Sequence, residues 1–146
     1  MSGNVSNKNL FDLTGKTALV TGSAGTLGTE FCNGLAGAGA EVMLFDLDLS
    51  DVEKQAAELS KKFGVKAKGY ACDVSQPSSV EICVAEAVKD FGSIDILHNN
   101  AAGKVGSADL FFAPFEDYTL EQWRSVLNVN LDGMFLMAQA VGKQML

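Results

Sequence analysis

A chain of 146 residues with 47% apolar content and a formal net charge of −7 is long enough for one domain with its own core. That acidic balance excludes a nucleic-acid partner, which requires a basic face, and no apolar run reaches the ~20 residues that cross a bilayer. Cys32, Cys72 and Cys83 lack CxxC or Cys/His metal spacing, so buried, reduced thiols and no bound metal are expected.

The polar tail, residues 1–9, has no apolar signal-peptide core, which points to a soluble cytoplasmic protein. Lys16-Thr17-Ala18-Leu19-Val20-Thr21 is a short apolar run that ends in glycines and reads as a buried strand. Leu27, Phe31 and Leu35 then recur at helical spacing until Gly37 and Gly39 stop the helix. Glu41 to Asp46 reads as a second buried strand. The next helix is expected to open on a Ser50/Glu53 capping box, with Leu49, Val52, Ala56, Leu59 and Phe63 as its stripe. Lys61 and Lys62 close it as a solvated end.

Val65 to Asp73 is the third expected strand. Ser75 and Pro77 start a helix whose inner face is Val80, Cys83, Val84, Ala87, Val88 and Phe91. Ser93 to Asn100 is the fourth strand. A long loop rich in Phe, residues 103–118, could form a substrate rim, a subunit contact or a lid. Thr119 and Gln122 form a second capping box, and one long helix runs from there. Its stripe is Trp123, Val126, Leu127, Met134, Val141 and Met145, and Asn130 falls within it. An amide on a buried face must find partners or cost roughly 1–3 kcal/mol, so spacing alone makes Asn130 structural glue.

Short buried strands alternating with helices imply a parallel sheet covered on both faces. With right-handed crossovers the fold class is α/β, a doubly wound, Rossmann-type sheet, here incomplete, with about four strands and flanking helices. Residues 1–146 are read as the nucleotide-binding part of one such domain.

Thr21-Gly22-Ser23-Ala24-Gly25-Thr26-Leu27-Gly28 joins the first strand to the first helix. A pyrophosphate needs backbone N–H groups aimed at it and no Cβ in the way, which glycines in this position supply. Asp46, at the end of the second strand, can accept hydrogen bonds from the adenosine ribose and repels a 2′-phosphate. Neither Ser23 nor Leu47 offers a compensating positive charge, so the expected cofactor is NAD. His98 lies within an apolar strand without a companion ligand or nucleophile and reads as a packed side chain.

These residues, with Asp73-Val74, Asn99-Asn100-Ala101 and Val129-Asn130-Leu131, resemble the short-chain dehydrogenase/reductase family from about Leu13 onward. The resemblance implies an oxidoreductase that interconverts a secondary alcohol and a ketone. It implies that Thr21, Gly22, Gly25, Thr26, Leu27, Gly28 and Asp46 hold the dinucleotide and that Asp73 and Val74 border the adenine. Asn99, Asn100 and Ala101 would lie beside the nicotinamide ribose, and Asn130 would serve a proton relay. A homo-oligomer, a dimer or tetramer, is the implied assembly of the full-length protein. Thr26 stands where the single-domain branch has a glycine, and Ala102 stands where the Asn-Asn-Ala turn ends in one. The Gly22/Gly25/Gly28 spacing instead resembles the extended branch, so a nucleotide-sugar epimerase or dehydratase is the alternative.

The family's proton transfer belongs to a Tyr followed four residues later by Lys, with a Ser upstream. Here Tyr70 is followed at that distance by Val74, and Tyr118 by Gln122. The chain is therefore expected to carry the cofactor site of a protein of roughly 250 residues and to lack turnover alone. A non-catalytic nucleotide-binding module is the remaining alternative.

Overall fold

The computed structural model describes residues 10–103 and 112–146; the polar tail and residues 104–111 of the Phe-containing loop lie outside the described residues. Strands β1 (Thr17–Thr21), β2 (Glu41–Asp46), β3 (Ala67–Ala71) and β4 (Ile96–His98) form one parallel sheet in the order β3-β2-β1-β4. Helices α1 (Thr26–Gly37), α2 (Leu49–Phe63) and α3 (Pro77–Phe91) connect them in turn. After β4 come a short 3₁₀ turn (Phe115–Asp117), α4 (Leu120–Leu127), a π turn (Asn128–Asp132) and α5 (Gly133–Met145). The chain winds outward from β1 to β3 and then returns to the other side of β1. That reversal opens a crevice beyond the C-terminal ends of β1 and β4, where doubly wound sheets bind ligands.

Side chains alternate across the sheet, and both faces are covered. Leu19, Met43, Phe45 and Tyr70 pack toward α3 and α5, whereas Val20, Val42 and Leu44 pack toward α1 and α2. A strand buried on both faces needs apolar residues at every position, which is why β1 and β2 read as unbroken runs. The two cores share only the sheet.

The far end of the sheet is latched by polar contacts. Asp95 accepts from Lys16 Nζ and from the Thr17 N–H, each at 2.9 Å, and Thr17 Oγ1 donates to the Ser93 carbonyl at 2.7 Å. The Lys16 ammonium, helped by the Thr17 N–H, holds the Asp95 carboxyl below the usual carboxylate range. Along the β3 edge, Asp90 accepts from Lys68 Nζ at 2.6 Å and from the Tyr70 hydroxyl at 2.8 Å.

Several local expectations are corrected. Strands β3 and β4 occupy only the middle of the expected segments 65–73 and 93–100. Helix α1 buries Gly28, Cys32 and Ala36, one position round from the expected Leu27-Phe31-Leu35 stripe. Leu27 is 65% exposed, because close approach to the sheet selects the small residues instead. Helix α2 is capped by Asp48, whose carboxylate accepts from the Asp51 N–H at 3.2 Å, and not by Ser50. The expected single long helix is interrupted by the π turn, which adds a residue to one turn and rotates everything after it. Helix α5 consequently buries Gly133 and Met137 beside the expected Val141, while Met134 and Met145 are exposed; Trp123, ahead of the π turn, is exposed as well. The Thr119/Gln122 capping box is present as expected. No helix among the described residues is long and apolar enough to cross a membrane.

Candidate functional site

Past the end of β1, Gly22 adopts φ 62°, a left-handed conformation in which a side chain is strained. A Cβ at this position would also meet Ala101 Cα at 2.8 Å. Gly28, in the first turn of α1, presses on the same loop: its Cβ would fall onto the Gly22 carbonyl oxygen and lie 2.8 Å from Ser23 Cα. The N-cap residue of α1 is Gly25, which supplies no side-chain hydrogen bond, and the first turn carries no acid. Helix α3 likewise has no side-chain cap, whereas α2 and α4 are closed by Asp48 and by Thr119 with Gln122. The α1 N-terminus therefore keeps its positive end and its amide donors for an external anion.

The loop is fastened to the end of β2. Ser23 donates its N–H and its hydroxyl to the Phe45 carbonyl, at 3.2 and 3.3 Å. Asp46 accepts from the Ala24 N–H at 2.9 Å through Oδ2 and from the Leu47 N–H at 2.8 Å through Oδ1. Each oxygen thus has a fixed direction and retains a lone pair for a further donor. Asp73 is anchored through one oxygen, Oδ1, which accepts from the Ser75 N–H at 2.9 Å and the Ser75 hydroxyl at 2.7 Å.

The end of β4 is stitched to the end of β1. Thr21 Oγ1, 1% exposed as a residue, accepts from the N–H groups of Asn100 and Ala101, both at 3.0 Å. Asn100 Nδ2 donates to the Thr21 and Gly22 carbonyls, each at 3.1 Å. Replacing Thr21 by Val keeps the shape and removes the acceptor for two inward-facing amides. An expected loss of about 2–4 kcal/mol follows, measurable by urea unfolding. An unchanged midpoint would show that the stitch contributes nothing.

A cleft of about 1120 Å³ lies over these loops. Among its lining residues are Gly22, Gly25, Thr26, Leu27, Gly28, Asp46, Asp73, Val74, Asn100 and Ala101, all singled out in the sequence. Thr21, Asn99 and Asn130 are not in the lining. Asn99 Nδ2 donates to the Met134 carbonyl at 3.3 Å, and Asn130 Oδ1 accepts from the Gly103 N–H at 2.8 Å, so both brace the turn after β4 from the helix side. The sequence reading missed Ala24, Leu47, Asp51, Cys72, Ser75, Ala102, Gly103 and Val129, which complete the wall. Most adjoin a motif residue in the chain and could have been found by adjacency. Asp51, in the first turn of α2, carried no such signal.

The cleft wall includes Asp46, Asp51 and Asp73 and no Lys or Arg among the described lining residues. Cys72 borders it, but burial pushes its thiol up to about 12, so it stays protonated and weakly nucleophilic. His98 lies outside the lining and packs on Phe31 with ring centroids 4.2 Å apart, a packed side chain.

An extended cleft at the strand-order reversal, an uncapped helix end and a carboxylate at the tip of β2 fit a dinucleotide. The sequence model of the short chain dehydrogenase family matches residues 16–146. The D-threitol dehydrogenase of Mycolicibacterium smegmatis is 43% identical over 136 residues, 93% of this chain and 50% of that protein. The NADP-dependent mannitol dehydrogenase of Alternaria alternata is 39% identical over 138 residues, 92% of this chain and 50% of that protein. A crystal structure of NAD⁺-bound xylitol dehydrogenase superposes with a TM-score of 0.82 at 38% identity, covering 91% of this chain and 49% of that one. The chain belongs to the short chain dehydrogenase family, and it spans about half the length of these relatives. They lend no support to the epimerase alternative.

Proposed function

We propose that this chain forms the cofactor-holding part of an NAD-dependent oxidoreductase that interconverts a secondary alcohol of a polyol and the corresponding ketone. The observation that carries the choice of NAD is the Asp46 carboxylate, fixed by the Ala24 and Leu47 N–H groups in a cleft whose described lining residues include acids and no Lys or Arg. A 2′-phosphate brought there would meet negative charge with no base among the described lining residues to offset it. The relatives' names include both NAD⁺ and NADP, so the choice rests on these residues alone. The substrate class rests on the relatives, which act on threitol, mannitol and xylitol by name.

In this reading Thr26, Leu27 and Gly28 offer N–H groups to the pyrophosphate, with Gly22 and Gly25 leaving it room. Asp46 receives the adenosine ribose, while Asp73 and Val74 border the adenine. Asn99, Asn100 and Ala101 form the turn beside the nicotinamide ribose. Thr21 and Asn100 fix that turn, and Asn130 holds it through Gly103 and contributes to the proton relay. The bound nicotinamide supplies hydride transfer, and the proton-transferring hydroxyl would come from a Tyr-x-x-x-Lys outside these 146 residues. Unpaired, buried Cys32, Cys72 and Cys83 suit a reducing cytoplasm. Exposed Trp123, Leu131, Met134 and Phe135 suit a homo-oligomeric contact.

Titrating the full-length protein with NADH and with NADPH, read by nicotinamide fluorescence, tests the proposal. Saturable binding is expected, tighter for NADH by about tenfold or more. Binding of neither would overturn the cofactor reading, and tighter NADPH would overturn the choice of NAD.

A further inference from the structure

One peptide plane in the glycine loop is held from both ends. The Ser23–Ala24 unit donates its N–H to Asp46 Oδ2 at 2.9 Å. Its carbonyl oxygen, on the opposite side of the same trans amide, accepts from Gln55 Nε2 at 3.0 Å. Gln55 comes from the second turn of α2, thirty-two residues away in the chain and outside the cleft lining. The hydroxyl of Thr29 reaches the same carbonyl at 3.5 Å, the long limit of a hydrogen bond, so Gln55 is its principal donor.

The other half of the Gln55 amide has no such use. Its Oε1 is buried without a hydrogen-bond partner among the described residues. A buried acceptor left unpaired is a cost that an aliphatic side chain of equal length would avoid. Packing alone would thus be served better by Met. What the amide adds is a donor that turns the Ser23 carbonyl toward α2. It thereby turns the Ala24 N–H toward Asp46.

Building on the proposed NAD reading, we infer that Gln55 is a positioning residue for cofactor selection: it orients the Ser23–Ala24 peptide that aims the Asp46 carboxylate at the adenosine ribose. Without the donor, the Ser23 carbonyl keeps only the long Thr29 contact, so the peptide plane is held less firmly and the Ala24 anchor of Asp46 is weakened. The influence of Gln55 on the cofactor therefore runs through Asp46.

The test measures NAD⁺ affinity by calorimetry for the full-length protein and for Gln55→Met, Gln55→Glu, Asp46→Ala and the Gln55→Met/Asp46→Ala double variant. Gln55→Met should weaken NAD⁺ about five- to tenfold, the worth of one ordinary hydrogen bond, while thermal stability stays equal or rises. In the Asp46→Ala background the same change should cost less than twofold, because the residue it positions is gone. Gln55→Glu should bind nearly as the parent at acid pH, where its carboxyl donates a proton to Ser23. Its affinity should fall relative to the parent as rising pH removes that proton. A structural role for Gln55 would lower stability and produce neither the coupling nor the pH dependence. Undiminished NAD⁺ binding by Gln55→Met, or equal losses in both backgrounds, would overturn the inference alone. Absence of saturable binding by the unsubstituted protein would remove the NAD reading and the inference with it.

Discussion

Gly28→Ala is expected to abolish useful cofactor binding, weakening NADH by at least about 100-fold. The added methyl points at the Gly22 carbonyl, with Ser23 Cα at 2.8 Å and the Gly22 carbonyl carbon at 2.9 Å. All of these are backbone atoms of the loop that faces the cleft, so no side chain can swing away to make room. Relief requires the loop to leave the helix end, which misdirects several amide donors at once. Hydrogen bonds to a charged group are worth about 1.5–3 kcal/mol each, and the loss of two suffices for the stated effect. Overpacking should also lower stability by about 1–3 kcal/mol. Gly34→Ala is the matched control: the same helix has open space there, and alanine should leave binding intact and favour the helix by up to about 1 kcal/mol. Fluorescence titration and urea unfolding of the two variants decide the matter. A Gly28→Ala protein that binds like its parent would contradict the assigned phosphate cradle.

The second large effect is expected at Asp46. Asp46→Ala should lower the ratio of NADH to NADPH affinity by on the order of 100-fold, from two contributions of about 1–2 kcal/mol each. One is the lost charge-assisted hydrogen bonding to the ribose, which weakens NADH. The other is relief of repulsion toward a 2′-phosphate, which strengthens NADPH. Asp46→Asn separates them, since it removes the charge and keeps an oxygen facing the Ala24 N–H. It should gain NADPH affinity while losing less NADH affinity than the alanine variant. The second gain should remain partial, because Asp51 still borders the same cleft. Steady-state affinities for both cofactors, at fixed ionic strength, provide the measurement. A ratio unchanged in both variants would show that Asp46 does not choose the cofactor.

Much of this site was legible because its signals are local. The tip of β1 and the glycines beyond it adjoin in the chain, and strand β2 ends at Asp46 as its apolar run does. What the sequence hid depends on contacts between distant segments. No periodicity announces that Thr21 stitches β1 to β4, or that Gln55 braces a loop formed thirty-two residues earlier. The α1 face was misassigned because large apolar residues outweigh small ones in a pattern, whereas tight helix–sheet contact favours Gly28, Cys32 and Ala36. Asp48 outcompeted Ser50 as the α2 cap by lying one residue ahead of the first helical turn. Nothing in the composition of Asn128–Asp132 marks a wider turn, so the stripe drawn through it slipped out of phase.

The distribution of the thiols has a practical outcome. Cys32 belongs to the layer formed by α1 and α2, while Cys72 and Cys83 belong to the layer under α3 and α5. Burial pushes the Cys32 and Cys72 thiols up to about 12 and raises that of Cys83, so none presents a reactive thiolate while the layers stay closed. Alkylation must wait for local opening, and its rate at each cysteine clocks the breathing of one side of the sheet independently of the other. The polypeptide carries native reporters on both sides of its sheet, with no engineered label needed.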